Sequence, residues 1–171
     1  MLTRMQRLLR HRWQADVHQT LPPALLQRLT RGVSASERQH RGEIRIYAEA
    51  GLPLSYLWRR QSTAELVRER ALTIFGKLRV WDTEHNNGVL IYLLLAERRI
   101  EIVADRGLND KVPQTTWHTI LARMREPFQA GDFETGLTLA LHEVDGLLRA
   151  HFPQAPGAHN PDELPNAPVL G

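Results

Sequence analysis

Eight consecutive apolar residues, Val89–Ala96 (VLIYLLLA), constrain this chain more than any other stretch. A half-exposed strand alternates apolar and polar positions, whereas an unbroken apolar run has both faces covered. The run is far short of the roughly 20 residues needed to cross a bilayer. Asn87-Gly88 precedes it and Glu97-Arg98-Arg99 follows it, so both ends are polar. It reads as the central strand of a sheet with helices on both faces.

The flanking patterns supply the partners. Ile100, Ile102 and Ala104 alternate with Glu101 and Val103, which gives a second, antiparallel strand of a hairpin. Glu43–Ala50 (EIRIYAEA) also alternates, with Ile44, Ile46 and Ala48 on one face. Between these strands Ser62-Thr-Ala-Glu65 forms a capping box. Val67, Ala71, Ile74, Phe75 and Leu78 follow at helical spacing to about Arg79. A right-handed crossover through that helix sets the Glu43 strand parallel to the Val89 strand. Downstream, Pro113 suits the first turn of a helix whose buried face is Trp117, Ile120, Leu121, Met124 and Phe128. Gly131-Asp132 ends it and caps a last helix carrying Leu137, Leu141, Val144 and Leu148. Upstream, a helix over 24–31 ends at Gly32, and Ser34-Ala-Ser-Glu37 caps another short one. The expected fold is α/β, a three-layer α/β/α sandwich with a small mixed sheet. Its domain spans 34–152, after a basic helical arm over 1–33. The tail, 153–171, holds five of the ten prolines and reads as disordered.

Charge and composition narrow the function classes. There are no cysteines, so disulfides and thiolate metal sites are excluded. Residues 1–41 hold eight Lys/Arg against two acids, a balance of +6, while the remainder holds 14 against 17. The positive charge therefore belongs to the arm, which argues against a nucleic-acid-binding fold. Leu2, Met5, Leu9 and Trp13 recur at helical spacing among arginines, a pattern for contact with a membrane surface or an acidic partner through residues 1–13, or for a frayed arm or a helix packed on its own domain. No signal peptide or spanning segment is read, and a cytoplasmic location is the default.

The candidate chemistry lies at one edge. The hairpin brings Asp82–Gly88 (DTEHNNG) and Asp105–Lys111 (DRGLNDK) to the same end of the sheet. Asp82, Glu84, Asn86, Asn87, Asp105, Asn109 and Asp110 are hard oxygen donors of the kind Ca²⁺ or Mg²⁺ takes. An EF-hand does not fit, because Gly88 stands at position seven and Leu93 at twelve. The same residues also serve as ordinary turn formers, with Arg106 pairing a nearby acid. The eight histidines show no i, i+4 pair, and the serines lack a nucleophile elbow; Ser34 and Ser62 read as helix caps. Arg68 and Arg70 read as a solvated helix face, the alternative being a clamp on an acid across the helix surface.

Taken in order, Arg68-Glu-Arg-Ala71, Phe75, Trp81-Asp-Thr-Glu84, Asn87-Gly-Val-Leu-Ile91, Ile100–Gly107 (IEIVADRG), Trp117, Phe128 and Gly131-Asp-Phe133 with Gly136 resemble the TPM domain family. Its members include a thylakoid-lumen acid phosphatase. The resemblance covers about Ser34 to Leu148. It implies an α/β/α sandwich, divalent-cation binding (Ca²⁺ or Mg²⁺) at acidic loops and, in some members, phosphatase activity. By position it nominates Asp82, Asn87 and Asp105 as metal ligands; Glu84, Asn86 and Asp110 join them by proximity. The chain resembles the soluble branch, often encoded beside a LemA-type membrane protein. The expected function is a binding or assembly module with a protein partner of that kind, at the cytoplasmic face of an envelope system. The alternative is a metal-dependent acid phosphatase acting on phosphate esters.

Overall fold

A computed structural model describes Leu9, His11, residues 16–155, Gly157 and residues 161–171. The helices are α1 (Val17–Thr20), α2 (Pro23–Glu37), α3 (Leu54–Leu57), α4 (Thr63–Lys77), α5 (Arg106–Asn109), α6 (Gln114–Ala130) and α7 (Phe133–His151). The strands are β1 (Glu43–Glu49), β2 (Gly88–Leu94), β3 (Arg99–Ala104) and β4 (Val169–Leu170), in the spatial order β3-β2-β1-β4. β1 and β2 are parallel, in register from Glu43↔Gly88 to Glu49↔Leu94. β2 and β3 are antiparallel, and β4 lies parallel to β1 at Tyr47 and Ala48.

Every residue of β2 is buried, as the unbroken apolar run requires. Ile44, Ile46, Ala48, Val89, Ile91 and Leu93 face one core, filled by α2, α6 and α7. Tyr47, Leu90, Tyr92, Leu94 and Val103 face a second core, filled by α3 and α4. The α/β reading and the mixed sheet therefore stand. Ser62 closes its capping box with Glu65, accepting from the Glu65 N–H while the Glu65 carboxylate accepts from the Ser62 N–H. Gly131 takes a left-handed φ of 81°, and Asp132 accepts from the Thr135 N–H, so the α6–α7 junction follows its sequence signals.

Four sequence expectations are corrected. First, α2 runs through Gly32 as one helix. A Cβ at Gly32 would sit 2.8 Å from Leu141 Cδ2, so the glycine permits close packing of α2 on α7 instead of ending the helix. Leu25, Leu29 and Val33 lie in the first core, so the basic arm does not extend to residue 33. The membrane contact read over residues 1–13 lies outside the described residues except at Leu9 and His11. The His11 ring is buried between the Leu52 N–H, 3.0 Å away, and Glu97, at 2.9 Å. Second, residues 161–171 are not disordered. Leu164 is buried, β4 pairs with β1, and the Gly171 N–H donates to the Ala48 carbonyl. Few apolar residues suffice there, because the free edge of β1 supplies the hydrogen bonds. Third, the 104–112 loop contains α5, capped by Asp105.

Fourth, β1 is not half-exposed and Arg70 is not solvated. Glu43, Arg45 and Glu49 are all buried, because α4 and the tail cover that face. Arg70 forks onto Glu49 with two bonds of 2.8 Å, and the Tyr92 hydroxyl donates to the same carboxylate at 2.5 Å. A buried carboxylate so held needs its cation, since removing one partner leaves a naked charge in a low dielectric. Arg70→Ala is expected to lower unfolding free energy by about 3–5 kcal/mol in urea denaturation. An Arg70→Met/Glu49→Leu pair should regain most of that. If Arg70→Ala melts like the parent protein, this network is not structural.

Candidate functional site at the loop edge

The chain leaves α4 through Arg79, whose φ of 53° turns it back toward the sheet. The Val80 N–H donates to the Phe75 carbonyl and buries Val80 completely. That carbonyl oxygen of Val80 then lies against Gly88, where any Cβ would overlap it. Residues 81–87 are thus forced out as a loop. Inside it Thr83 Oγ1 accepts from the Asn87 N–H at 3.1 Å, and the Thr83 carbonyl accepts from the Asn86 N–H.

The second loop docks directly on the first. The Asp105 N–H donates to the Gly88 carbonyl at 2.9 Å, and the Gly107 N–H donates to the Asn86 carbonyl at 2.8 Å. A Cβ on Gly107 would lie 2.5 Å from that same Asn86 oxygen. Arg106 completes the clamp, with Nε and Nη2 on Asn86 Oδ1 at 3.1 and 2.8 Å. The two loops therefore share one edge.

The six nominated ligands divide on inspection. Asp82 is held by Arg79 at 2.6 Å and is half-exposed. Asn86 gives its side-chain oxygen to Arg106. Glu84 is largely exposed, and Asp110 is exposed at the end of α5. Asn87 is fully buried; its Nδ2 donates to the Arg41 carbonyl at 2.7 Å, and its Oδ1 has no hydrogen-bond partner. Asp105 accepts the Arg106 N–H on Oδ1 at 2.7 Å, and its buried Oδ2 likewise has no partner. Among the described residues no three or more His, Asp or Glu side chains cluster as a metal cage. Of the six, Asn87 and Asp105 are thus the two that keep a buried side-chain oxygen without a hydrogen-bond partner. Asp82 Oδ2 and Asn86 Oδ1 are already bonded to Arg79 and Arg106.

Sequence reasoning missed the residues behind this edge. The 40–42 turn that presents the Arg41 carbonyl to Asn87 is fixed by His40, whose Nδ1 accepts the Gly42 N–H at 3.1 Å. Ser36 Oγ lies 2.7 Å from His40 Nε2 and 2.6 Å from Asp145 Oδ1. These three side chains could pass for a hydrolase triad, but their proton order is wrong. With Nδ1 accepting, the neutral ring carries its proton on Nε2 and donates to Ser36, which donates to Asp145. No ring lone pair is left to take the serine proton, so the relay is structural. Burial lowers the His40 pKa to about 4, and Glu37 and Glu43 are driven the other way. Glu37, accepting the Ile44 N–H, rises to about 8 through burial, and Glu43, accepting the Leu164 N–H, rises to about 7 for the same reason. No short sequence motif marks these groups, since the partners that complete them, Asp145 for Ser36 and Leu164 for Glu43, are more than 100 positions away.

Two outcomes test this account. Gly88→Ala should cost at least about 1–3 kcal/mol by overpacking. Gly76→Ala, where a Cβ meets nothing within 4 Å, should be neutral or stabilising. Secondly, a raised carboxyl pKa stabilises fully below the ordinary value of 4.5, and that contribution disappears as pH rises through about 7. Glu43→Gln should therefore flatten the decline of stability across this window in pH-scanned urea melts. An unchanged slope would show that Glu43 is ionised in the folded protein.

The comparisons with known proteins agree with this architecture. The sequence profile of the TPM domain family matches residues 15–147. The fold is similar to the NMR structure of BA42 protein from the psychrophilic bacterium Bizionia argentinensis sp. nov.. That similarity has a TM-score of 0.72 and 25% identity, over 93% of this chain and 97% of the other. A search of curated proteins returned no significant match. Among the described residues no helix is long and apolar enough to cross a membrane. With the profile spanning both cores and both loops of the edge, the chain belongs to the TPM domain family.

Proposed function

We propose that this TPM domain is a binding module whose loop edge takes a hydrated divalent cation and presents it to a protein partner. One observation carries the reading. Two buried side-chain oxygens, Asn87 Oδ1 and Asp105 Oδ2, lack hydrogen-bond partners, and they belong to two loops clamped together by backbone bonds. A buried acceptor left unsatisfied costs about 1–3 kcal/mol, so two on one loop edge favour a ligand that accepts oxygen lone pairs, as a cation does. Two protein donors are too few for Ca²⁺, which takes six to eight, but suit Mg²⁺, which keeps several waters. The exposed Glu84 and Asp110 carboxylates remain available to those waters. The positive Arg106 on Asn86 repels a cation bound nearby, which weakens its hold and favours reversible binding.

The phosphatase alternative is less well supported. It places Asp82 and Asp105 on one cation, and Asp82 is already paired with Arg79. The family resemblance suggests a LemA-type membrane protein as partner and a cytoplasmic setting; both belong to the proposal.

The test is a Mg²⁺ and Ca²⁺ titration followed by backbone amide shifts. Changes confined to residues 82–88 and 105–111 are expected, with Mg²⁺ the better ligand. Asp105→Asn keeps a capping side chain for α5 and removes the charge, so it should weaken binding about tenfold or more without unfolding the protein. A flat response at millimolar cation, or equal binding by Asp105→Asn, sinks the cation reading. Cation-dependent turnover of a phosphate-ester panel, lost in Asp105→Asn, would replace it with the phosphatase.

A further inference from the structure

We infer that the outer edge of β3 is a docking strand for an extended, acidic segment of a partner protein. This edge is separate from the loop edge that holds the proposed cation, so the two ideas can fail independently.

The two edges of the sheet are finished differently. On the β1 side, β4 pairs at Tyr47 and Ala48, and the Glu37 carboxylate takes the Ile44 N–H where β4 does not reach. On the β3 side no strand follows among the described residues. Because the Asp105 N–H points inward to Gly88, the alternate residues Ile100, Ile102 and Ala104 turn their N–H and C=O groups outward. Of these groups only the Ile102 carbonyl has a described partner, the Arg68 guanidinium at 2.8 Å. The strand is six residues long, pairs with β2 in unbroken register and contains no proline. Free edges of that kind are templates for another strand.

Beside this edge, between β3 and the second half of α6, lies a cleft of about 550 Å³. Ile100, Leu121 and Phe128 give it an apolar floor. Its charges are unbalanced. Glu97 is paired with His11 and Glu101 with Arg68, whereas Arg99 and Arg125 are exposed and make no hydrogen bond among the described residues. Arg98, in a left-handed turn, is fixed on the Gln129 carbonyl at 2.6 Å. An added strand would bond to the outward groups of β3, and its side chains on the α6 side would enter this cleft. The exposed guanidinium groups of Arg125 and Arg99, the latter also within electrostatic reach of Glu101, select carboxylates among those side chains.

Charge also decides between occupants. The chain's own first 41 residues carry +6 and have the wrong sign for the cleft. An acidic partner has the matching sign.

The experiment uses the full ¹⁵N-labelled chain and a synthetic peptide of alternating valine and glutamate. That peptide should slow amide exchange at Ile100, Ile102 and Ala104; the same peptide with lysine for glutamate should not. Arg99→Glu/Arg125→Glu should bind the acidic peptide about tenfold more weakly while keeping the parent's thermal melt. The inference is overturned if the acidic peptide leaves those three amides unprotected, or if the lysine peptide or the double variant binds equally well. Protection that appears on raising protein concentration without peptide would make the occupant a second copy. If inorganic phosphate alone displaces the peptide and gives the same shifts without protection, the cleft is a small-anion site.

Discussion

Burial of β2 on both faces is the constraint from which the rest of the molecule follows. A strand with no exposed side must have a helical layer above and another below. The parallel crossover through α4 supplies one layer, and α2, α6 and α7 supply the other. Since β2 is central, β1 beside it is drawn into the interior as well, including its charged residues Glu43, Arg45 and Glu49. Arg70 and Tyr92 meet Glu49 and the Ala167 carbonyl meets Arg45, while Glu43, bonded by the Leu164 N–H, is pushed by burial to a pKa of about 7. The tail is part of that settlement. Without residues 161–171, Glu43 and Arg45 would lose backbone partners and the upper edge of β1 would be open.

The loop edge follows from the same strand. β2 must begin at Gly88, because only a residue without Cβ passes the Val80 carbonyl. That close pass puts the polar residues before it at the sheet's end, where the hairpin returns Asp105 to the Gly88 carbonyl. The loops are clamped by backbone, so their geometry does not depend on a ligand. What the clamp leaves unsatisfied is confined to two side-chain oxygens, Asn87 Oδ1 and Asp105 Oδ2. A rigid frame with few open valences binds selectively, because the ligand has to meet fixed donors and cannot remodel them.

Local signals were legible and long-range ones were not. The VLIYLLLA run, the Ser62–Glu65 capping box and the Gly131-Asp132 junction each depend on residues within one turn of one another, and the fold reproduces them. The meeting of the two loops was also legible, since it follows from hairpin topology. Arg70 was misread because its partner Glu49 is 21 positions away and its own helix position looks like surface. The tail was misread because composition measures whether a segment can fold alone, and β4 folds on an edge that β1 provides. Gly32 was misread because a glycine that ends a helix and one that admits a neighbouring helix look the same in a single sequence. For the site, residue type nominated oxygen donors and no more. It could not say that Arg79 and Arg106 would occupy Asp82 and Asn86.

The sheet's two edges show how one chain uses both solutions to the edge-strand problem. β1 is closed by the chain's own end and by an acidic side chain, Glu37, acting in place of a strand. β3 is left with outward backbone groups and is guarded by charge, Arg68 on one carbonyl and Arg99 and Glu101 on the strand itself. Charge guards an edge selectively. It disfavours a basic strand and favours one of opposite sign. A covered edge excludes every partner alike, so of the two only β3 retains specificity. The loop edge, at the end of the strands, is set apart from both.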